Sequence, residues 1–123
     1  MFLAKFNQQS YALFRIMTGF LFLWHGAQKL FGYPAVSSHD MPVFIVYVAG
    51  PIELVGGVLV MIGLFTRYAA FLCSGLSAAA YWMVHGTKAF FPLLNGGELA
   101  ALYSFAFLLI ATHGAGIWSI DKE

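Results

Sequence analysis

A short stretch of the chain, residues 22–32, carries side chains that can bind anions or exchange protons. In the sequence FLWHGAQKLFG, His25, Gln28 and Lys29 follow one another within five residues. Imidazole and ammonium groups donate hydrogen bonds to anions and carbonyl oxygens, and an imidazole also exchanges protons near neutral pH. Because the preceding run is strongly apolar, either a membrane helix ends here or these groups face something other than lipid.

A carboxyl group lies in the middle of another apolar run. Glu53 stands within AGPIELVGG, about 16–18 Å by helical rise from either end of that run. A carboxylate at the centre of a bilayer costs roughly 3 kcal/mol on insertion scales, so Glu53 must be paired, protonated or hydrated. We therefore predict a role in ligand binding or proton exchange. The alternative is a buried pair that sets helix register, for which Arg15 and a protonated His25 are the expected cations.

Further candidates have simpler interpretations. Arg15 and Lys29 lie near the ends of their predicted helix, where long cationic side chains extend to the membrane interface. Asn95 and Glu98 have the spacing of a capping box, which is the simpler role for Glu98. No H-x-x-x-H or E-x-x-H pair occurs, so no metal site is predicted. The ligand-binding or proton-exchanging candidates are Glu53, His25, Lys29, Arg15, His85 and Glu98.

The elements that position these residues are predicted to be membrane helices. The chain of 123 residues is 61% hydrophobic and 9% charged, whereas a soluble domain carries about 25% charged residues. Apolar runs at approximately 11–31, 42–65, 68–86 and 95–114 are each long enough to cross a hydrocarbon core of roughly 30 Å. Short connections and the need for internal backbone hydrogen bonds predict an all-α, integral membrane, four-helix antiparallel bundle, formed by a single domain of residues 1–123.

Charge and cysteine content exclude some functions, and charge also predicts the orientation of the bundle in the membrane. A net charge of +1 provides no basic surface for nucleic acid. The single cysteine, Cys73, excludes C-x-x-C dithiol chemistry. A small excess of positive side chains predicts cytoplasmic N- and C-termini, with residues 32–41 on the other side of the membrane.

Helical periodicity predicts interior faces on the first two helices. Residues of the first helix that share an arc of about 80° are Arg15, Thr18, Phe22, His25 and Lys29, flanked by Gly19 and Gly26. One side of the second helix carries Ala49, Gly50, Glu53, Gly56 and Gly57. Small residues let neighbouring backbones approach closely, so these faces are expected to meet inside the bundle.

The same periodicity predicts a polar funnel. On the third helix, a regular α-helix places Ser74, Ala78 and Tyr81 on the face of His85. The groups that approach the non-cytoplasmic end above Glu53 are then His25, Lys29, His85, Asn95 and Glu98. Such clustering of titratable groups favours a functional site over isolated structural roles.

Four blocks of the chain form an ordered pattern. They are RIMTGFLFLWHGAQKLFG, ELVGGVLVMIGLFTRYAA, HGTKAFFPLLNGGELAALY and GAGIWSID, and they extend from Arg15 to Asp121. In this order and spacing they closely resemble the DoxX family of small bacterial membrane proteins. The resemblance implies a four-helix, multi-pass protein of the bacterial inner membrane. The family name derives from subunits of an archaeal thiosulfate:quinone oxidoreductase, and some relatives are linked to oxidoreductase complexes and to thiol or oxidative-stress defence.

Two functions are compatible with the residues and the resemblance. In the first, the chain is a subunit of a membrane oxidoreductase complex, more a partner of other subunits than a self-sufficient enzyme. Lys29 and the histidines then bind a quinone head group or small anion, and Glu53 exchanges a proton. In the second, the chain is a non-enzymatic assembly factor or scaffold, and the polar groups hold helix register. The lipid bilayer, oxidoreductase subunits and a second copy of the chain are the expected partners.

Overall fold

The computed structural model describes residues 1–35 and 42–122, and within these residues it is helical with no strand. The elements are a 3₁₀ turn (Phe2–Phe6), α1 (Asn7–Phe31), α2 (Val43–Ile62), α3 (Thr66–Ala80), a π-helical turn (Tyr81–His85), α4 (Pro92–Asn95) and α5 (Glu98–His113). The all-α class is confirmed. The four predicted helices correspond to α1, α2, α3 with its π turn, and α5, while α4 is an additional short helix. Most of the predicted loop at 32–41 lies outside the described residues.

Three helix boundaries differ from the predicted spans by three or four residues. α1 begins at Asn7, ahead of the predicted residue 11. α2 ends at Ile62 rather than 65 because Gly63 takes a left-handed conformation, with φ 72°, and its N–H bonds back to the last turn. α5 begins at Glu98 rather than 95 because Gly96, with φ 74°, ends the preceding short helix. Left-handed glycines commonly end helices, since they lack a Cβ.

The backbones of α1 and α2 meet at glycines. A Cβ on Gly19 would stand 2.5 Å from the carbonyl oxygen of Gly57, and a Cβ on Gly57 would stand 2.8 Å from the backbone nitrogen of Leu23. About two turns further along α1, a Cβ on Gly26 would stand 2.6 Å from the carbonyl oxygen of Gly50. No larger side chain fits at these positions without movement of the helices. The interior faces predicted from the small residues are confirmed.

Aromatic side chains join this helix pair to α5. Phe22 packs edge-on against Tyr103 and Phe107, with ring centroids 4.9 and 4.6 Å away. Such aromatic pairs add about 0.5–1.5 kcal/mol beyond the burial of their area. The buried core that they belong to consists of Phe22, Val60, Ala69, Ala70, Cys73, Tyr103, Phe107 and Ile110.

The outer surface of the helices is apolar. Midway along α3 and α5, Phe71, Leu102 and Phe105 are each about two-thirds exposed or more. By length and composition, one helix of the described chain, Val43–Ile62, is long and apolar enough to cross a membrane. α3 and α5 have 15 and 16 residues, and α1 carries several polar side chains. Helix length and composition together therefore support one membrane span where the sequence predicts four.

Candidate functional site

An ion pair between α1 and α2 lies at the centre of the candidate site. Lys29 Nζ is 2.8 Å from Glu53 Oε1 and 3.0 Å from Oε2. The two side chains are only 16% and 7% exposed. Lys29 therefore does not extend outward to an interface, and that expectation is wrong. The prediction that Arg15 or a protonated His25 pairs with Glu53 is also wrong, because the partner is Lys29.

The ion pair borders a cavity of about 260 Å³ between α1, α2, α3 and α5. The wall residues with polar groups in their side chains are His25, Lys29, Glu53, Ser77, His85 and Tyr103. The structure thus brings together four of the six candidates: His25, Lys29, Glu53 and His85. Arg15 and Glu98 are not in the wall.

A larger cavity, of about 660 Å³, shares the ion pair and both histidines with the first one. It continues between α2 and the far end of α3, where its lining is mostly apolar and includes Phe44, Val48 and Met83. Lys88 also contributes to its wall. The ion pair therefore stands where a chamber of mixed polar and apolar lining adjoins a mostly apolar one.

His25 is held in the cavity by aromatic rings. Its ring lies edge-on to Tyr103, with centroids 5.8 Å apart, and 6.4 Å from the ring of Phe22. Within residues 1–35 and 42–122, no group hydrogen-bonds to the imidazole. Both ring nitrogens therefore keep their capacity to bind a molecule in the cavity.

His85 is oriented by the segment that joins α3 to α5. Its Nδ1 lies 3.1 Å from the carbonyl oxygen of Asn95. Because a carbonyl oxygen only accepts, Nδ1 carries the proton, and Nε2 of the neutral ring is left as an acceptor. The Asn95 side chain is in turn fixed by donating to the Tyr81 hydroxyl and the Ala89 carbonyl, both at 3.1 Å, and by accepting the Gly97 N–H at 2.8 Å.

Glu98 lies apart from this network. α5 begins at Glu98 itself, and its N-cap residue is Gly97, with no side-chain cap hydrogen bond. The predicted capping box is therefore wrong, because the left-handed turn at Gly96 separates Asn95 from the start of the helix. The Glu98 side chain is exposed and takes no part in the cavity wall.

Arg15 lies about 21 Å along α1 from Lys29. The residue is fully buried. Its guanidinium donates hydrogen bonds to four carbonyl oxygens, those of Val60, Ala115, Ile117 and Trp118. The expected extension of Arg15 to the membrane interface is wrong, because the C-terminal segment folds over it. The structure also places Arg15 outside the walls of the two cavities.

Residues 114–121, with the side chains of Tyr11, Arg15 and Arg67, form a unit that we call the C-terminal clasp. The Tyr11 hydroxyl donates to the Gly114 carbonyl at 2.6 Å, and the Tyr11 ring stacks on His113 at 3.8 Å. Arg67 donates to the carbonyls that end α5, including that of Thr112 at 2.7 Å. Backbone groups thus accept the hydrogen bonds of these side chains.

Asp121 closes the clasp onto α3. Its carboxylate accepts the backbone N–H groups of Phe65 and Thr66, both at 2.9 Å. Burial acts to raise the pKa of Asp121, but the hydrogen bonds from Thr66 and Phe65 and the charge of Arg15 outweigh it, so this pKa lies below its ordinary value. Asp121 therefore remains ionised and caps a helix N-terminus, where negative charge is favourable.

Two cavity residues, Ser77 and Tyr103, were not predicted from the sequence. Ser77 is 4% exposed, and its Oγ has no hydrogen-bond partner in the part of the chain that the structure describes. The regular periodicity assigned Ser74 rather than Ser77 to the face of His85. The π turn Tyr81–His85 invalidates that assignment, because its wider turn rotates His85 relative to α3.

Known proteins resemble this chain over nearly its whole length. The DoxX family model matches residues 10–86. An uncharacterized protein of Haemophilus influenzae is 39% identical over 98% of this chain and 95% of its own length. A Bacillus subtilis protein named "Putative oxidoreductase CatD" is 32% identical over 89% of this chain and 82% of its own length. No solved structure matches the chain.

Proposed function

The chain belongs to the DoxX family, and from this premise we propose that it is a multi-pass protein of the bacterial inner membrane that binds a quinone for an oxidoreductase complex. The observation that carries the proposal is the Lys29–Glu53 pair at the junction of a cavity of mixed lining and a mostly apolar one. The name of the Bacillus subtilis relative supports the redox part of the proposal.

The distribution of polarity supports a location in the membrane. Large apolar side chains such as Phe71 and Phe105 are exposed at mid-helix, while Arg15, Glu53 and Asn95 are buried. A water-soluble protein does not expose contiguous apolar surface on this scale. α1, with 25 residues, is about 38 Å long, enough to cross the hydrocarbon core despite its polar positions. Toward the middle of α1, Arg15 and Thr18 are buried, as polar groups in membrane helices commonly are.

The two cavities suit the two parts of a quinone. A head group with carbonyl oxygens fits the chamber bordered by the hydrogen-bond donors Lys29 and Tyr103, and an isoprenoid chain fits the apolar chamber along α2 and α3. Ligand sites are commonly apolar clefts with a few convergent polar groups, as here. The larger chamber, at about 660 Å³, is within the size range of such clefts.

The ion pair supplies the chemistry for proton exchange. Reduction of a quinone to a quinol takes up two electrons and two protons. Lys29 Nζ donates a hydrogen bond to a quinone oxygen, and Glu53, held 2.8 Å from Nζ, exchanges a proton at the same place. A partner oxidoreductase subunit supplies or accepts the electrons. His25, with free imidazole nitrogens among the described residues, is a second site of proton exchange.

One observation favours the alternative of a non-enzymatic assembly factor or scaffold. The Lys29–Glu53 pair joins α1 to α2 beside the glycine contacts, and a buried ion pair of this kind sets helix register in some proteins. In that case the pair is complete without a ligand, and the exposed aromatic faces of α3 and α5 contact the partner protein.

The proposal is tested on the protein purified in lipid nanodiscs. We expect a short-chain ubiquinone or menaquinone to raise the unfolding temperature of the wild-type protein, and quinone to be present in its lipid extract. Lys29→Met should lose the ligand-induced stabilisation, while Lys122→Met, a change in an exposed cation, should retain it. Stabilisation by thiosulfate alone would indicate a small-anion site. A protein that responds to neither probe and copurifies with another polypeptide would support the scaffold.

The orientation in the membrane is tested separately. We propose that both termini are cytoplasmic, because a small excess of positive side chains lies on that side. The contact of Arg15 with Ile117 and Trp118 supports a common side for both termini, since it joins the first part of α1 to the end of the chain. A reporter fused after Glu123 should be active only in its cytoplasmic form, and periplasmic activity would contradict the proposed orientation.

A further inference from the structure

Ser77 of α3 carries a buried hydroxyl group at the edge of the smaller cavity. The residue is 4% exposed and borders the smaller cavity. Its Oγ has no hydrogen-bond partner within residues 1–35 and 42–122. Serine hydroxyls in helices ordinarily bond to a backbone carbonyl one turn earlier. Ser74, one turn before Ser77, finds a partner on another helix instead, because its Oγ donates to the Ser104 carbonyl of α5 at 2.7 Å.

An unpaired hydroxyl in such a place has an energetic cost. A buried polar group without a partner loses its hydration without replacement, at a cost of about 1–3 kcal/mol. Buried polar groups are therefore nearly always paired with protein or with a bound molecule. The cavity beside Ser77 provides the space for such a molecule.

The other walls of the cavity indicate what that molecule must present. Lys29 on α1 is a hydrogen-bond donor, and Ser77 on α3 borders the same space from another helix. Tyr103 on α5 adds a hydroxyl that makes no hydrogen bond within the described chain. Two of these groups can donate as hydroxyls and the third as an ammonium. They fit a head group that carries oxygen acceptors.

We infer that Ser77 is a ligand-binding residue whose hydroxyl donates a hydrogen bond to an oxygen of the head group, and that the ligand is an amphiphile whose apolar chain lies in the larger cavity. This inference rests on the proposed function and adds to it the residue on α3 that orients the ring. Lys29 binds the head group from α1, Ser77 binds it from α3, and the chain extends past Val48 and Met83.

Ser77→Ala tests the inference, with Ser74→Ala as the matched control. Without ligand, Ser77→Ala should unfold at the wild-type temperature or above it, because it removes an unpaired buried hydroxyl. Its affinity for a short-chain ubiquinone should fall about tenfold, the effect of one lost hydrogen bond. Ser74→Ala should keep wild-type affinity, because it removes a hydroxyl bonded to the Ser104 carbonyl. A ubiquinone without its isoprenoid chain should bind more weakly than the short-chain form.

The possible outcomes separate the inference from the function. If the wild-type protein binds the quinone and Ser77→Ala binds it equally well, the role of Ser77 is wrong and the proposed function stands. If Ser77→Ala without ligand unfolds at a lower temperature than the wild type, the Ser77 hydroxyl has a hydrogen-bond partner within the protein. That result would also overturn its ligand-binding role. Equal affinity for the two ubiquinones would contradict the inference that the apolar chain of the ligand lies in the larger cavity. If the wild-type protein binds no quinone, the proposed function fails and the inference fails with it.

Discussion

The C-terminal clasp and the ion-pair cavity differ in how completely the protein surrounds a buried cation. In the clasp, the guanidinium of Arg15 is enclosed by four backbone carbonyls. At the cavity, Lys29 has a carboxylate partner on one side and open space on the other. Both cations lie on the interior face of α1. Burial of a charge therefore does not distinguish a site from a structural contact; a cavity beside the charge does.

The largest expected effect is the loss of the clasp. Arg15→Met removes the donor for four carbonyls, two of them in buried hydrogen bonds. It should lower the free energy of unfolding by about 3–5 kcal/mol, because each buried acceptor left unpaired costs about 1–3 kcal/mol. Arg15→Lys should restore little, because an ammonium cannot reproduce the planar fork of donors. The measurement is unfolding in mixed detergent micelles. An Arg15→Met protein as stable as the wild type would show that the clasp contributes nothing.

Disruption of the packing between α1 and α2 should have the next largest effect, because this packing connects the C-terminal clasp with the ion-pair cavity. Gly57→Leu places a side chain against the backbone of α1 and should destabilise by about 1–3 kcal/mol. Val55→Leu is the control, since Val55 is 56% exposed. Leu59, predicted from periodicity to point elsewhere, packs against the core and is unsuitable as a control. Equal unfolding of the Gly57 and Val55 variants would contradict the close helix contact.

Asp121 should give a smaller effect that depends on pH. Asp121→Asn weakens a helix cap and should cost about 0.5–1 kcal/mol at neutral pH, since the carboxylate is partly exposed. Because the pKa of Asp121 is lowered on folding, its contribution is complete above the ordinary value of 3.8 and is lost as pH falls through the lower, folded-state pKa. The two proteins should therefore converge in unfolding temperature in acid. A constant difference across this range would refute the role of the charge.

Glu53→Gln should have the smallest effect on stability and a large effect on ligand binding. The amide keeps an oxygen for Lys29, which also borders the cavity, so the loss should be about 1 kcal/mol or less. Quinone-induced stabilisation should disappear, because the ionisable group is gone. Unfolding and quinone titration are measured side by side. A loss of about 3–5 kcal/mol would instead identify the pair as a structural one and favour the scaffold.

Helix faces were predictable, but the contacts across them were not. The spacing of Gly19, Gly26, Gly50 and Gly57 correctly indicated which sides of α1 and α2 meet. The partner of Glu53 was predicted incorrectly, since a slide of one helical turn, about 5.4 Å, exchanges the residues that face each other. The capping box at Asn95 was also wrong, because the conformation of Gly96 decides where α5 begins.

The sequence by itself determined that the chain is helical and apolar, that it belongs to its family, and that two glycine-lined faces pack together. These properties depend on composition and on spacing along one helix. Only the tertiary structure decided that Arg15 is a structural residue and that Lys29 and Ser77 border a cavity. The reason is that the surroundings of a side chain come from distant segments. Residues 114–121 enclose Arg15, whereas the space beside Lys29 remains open.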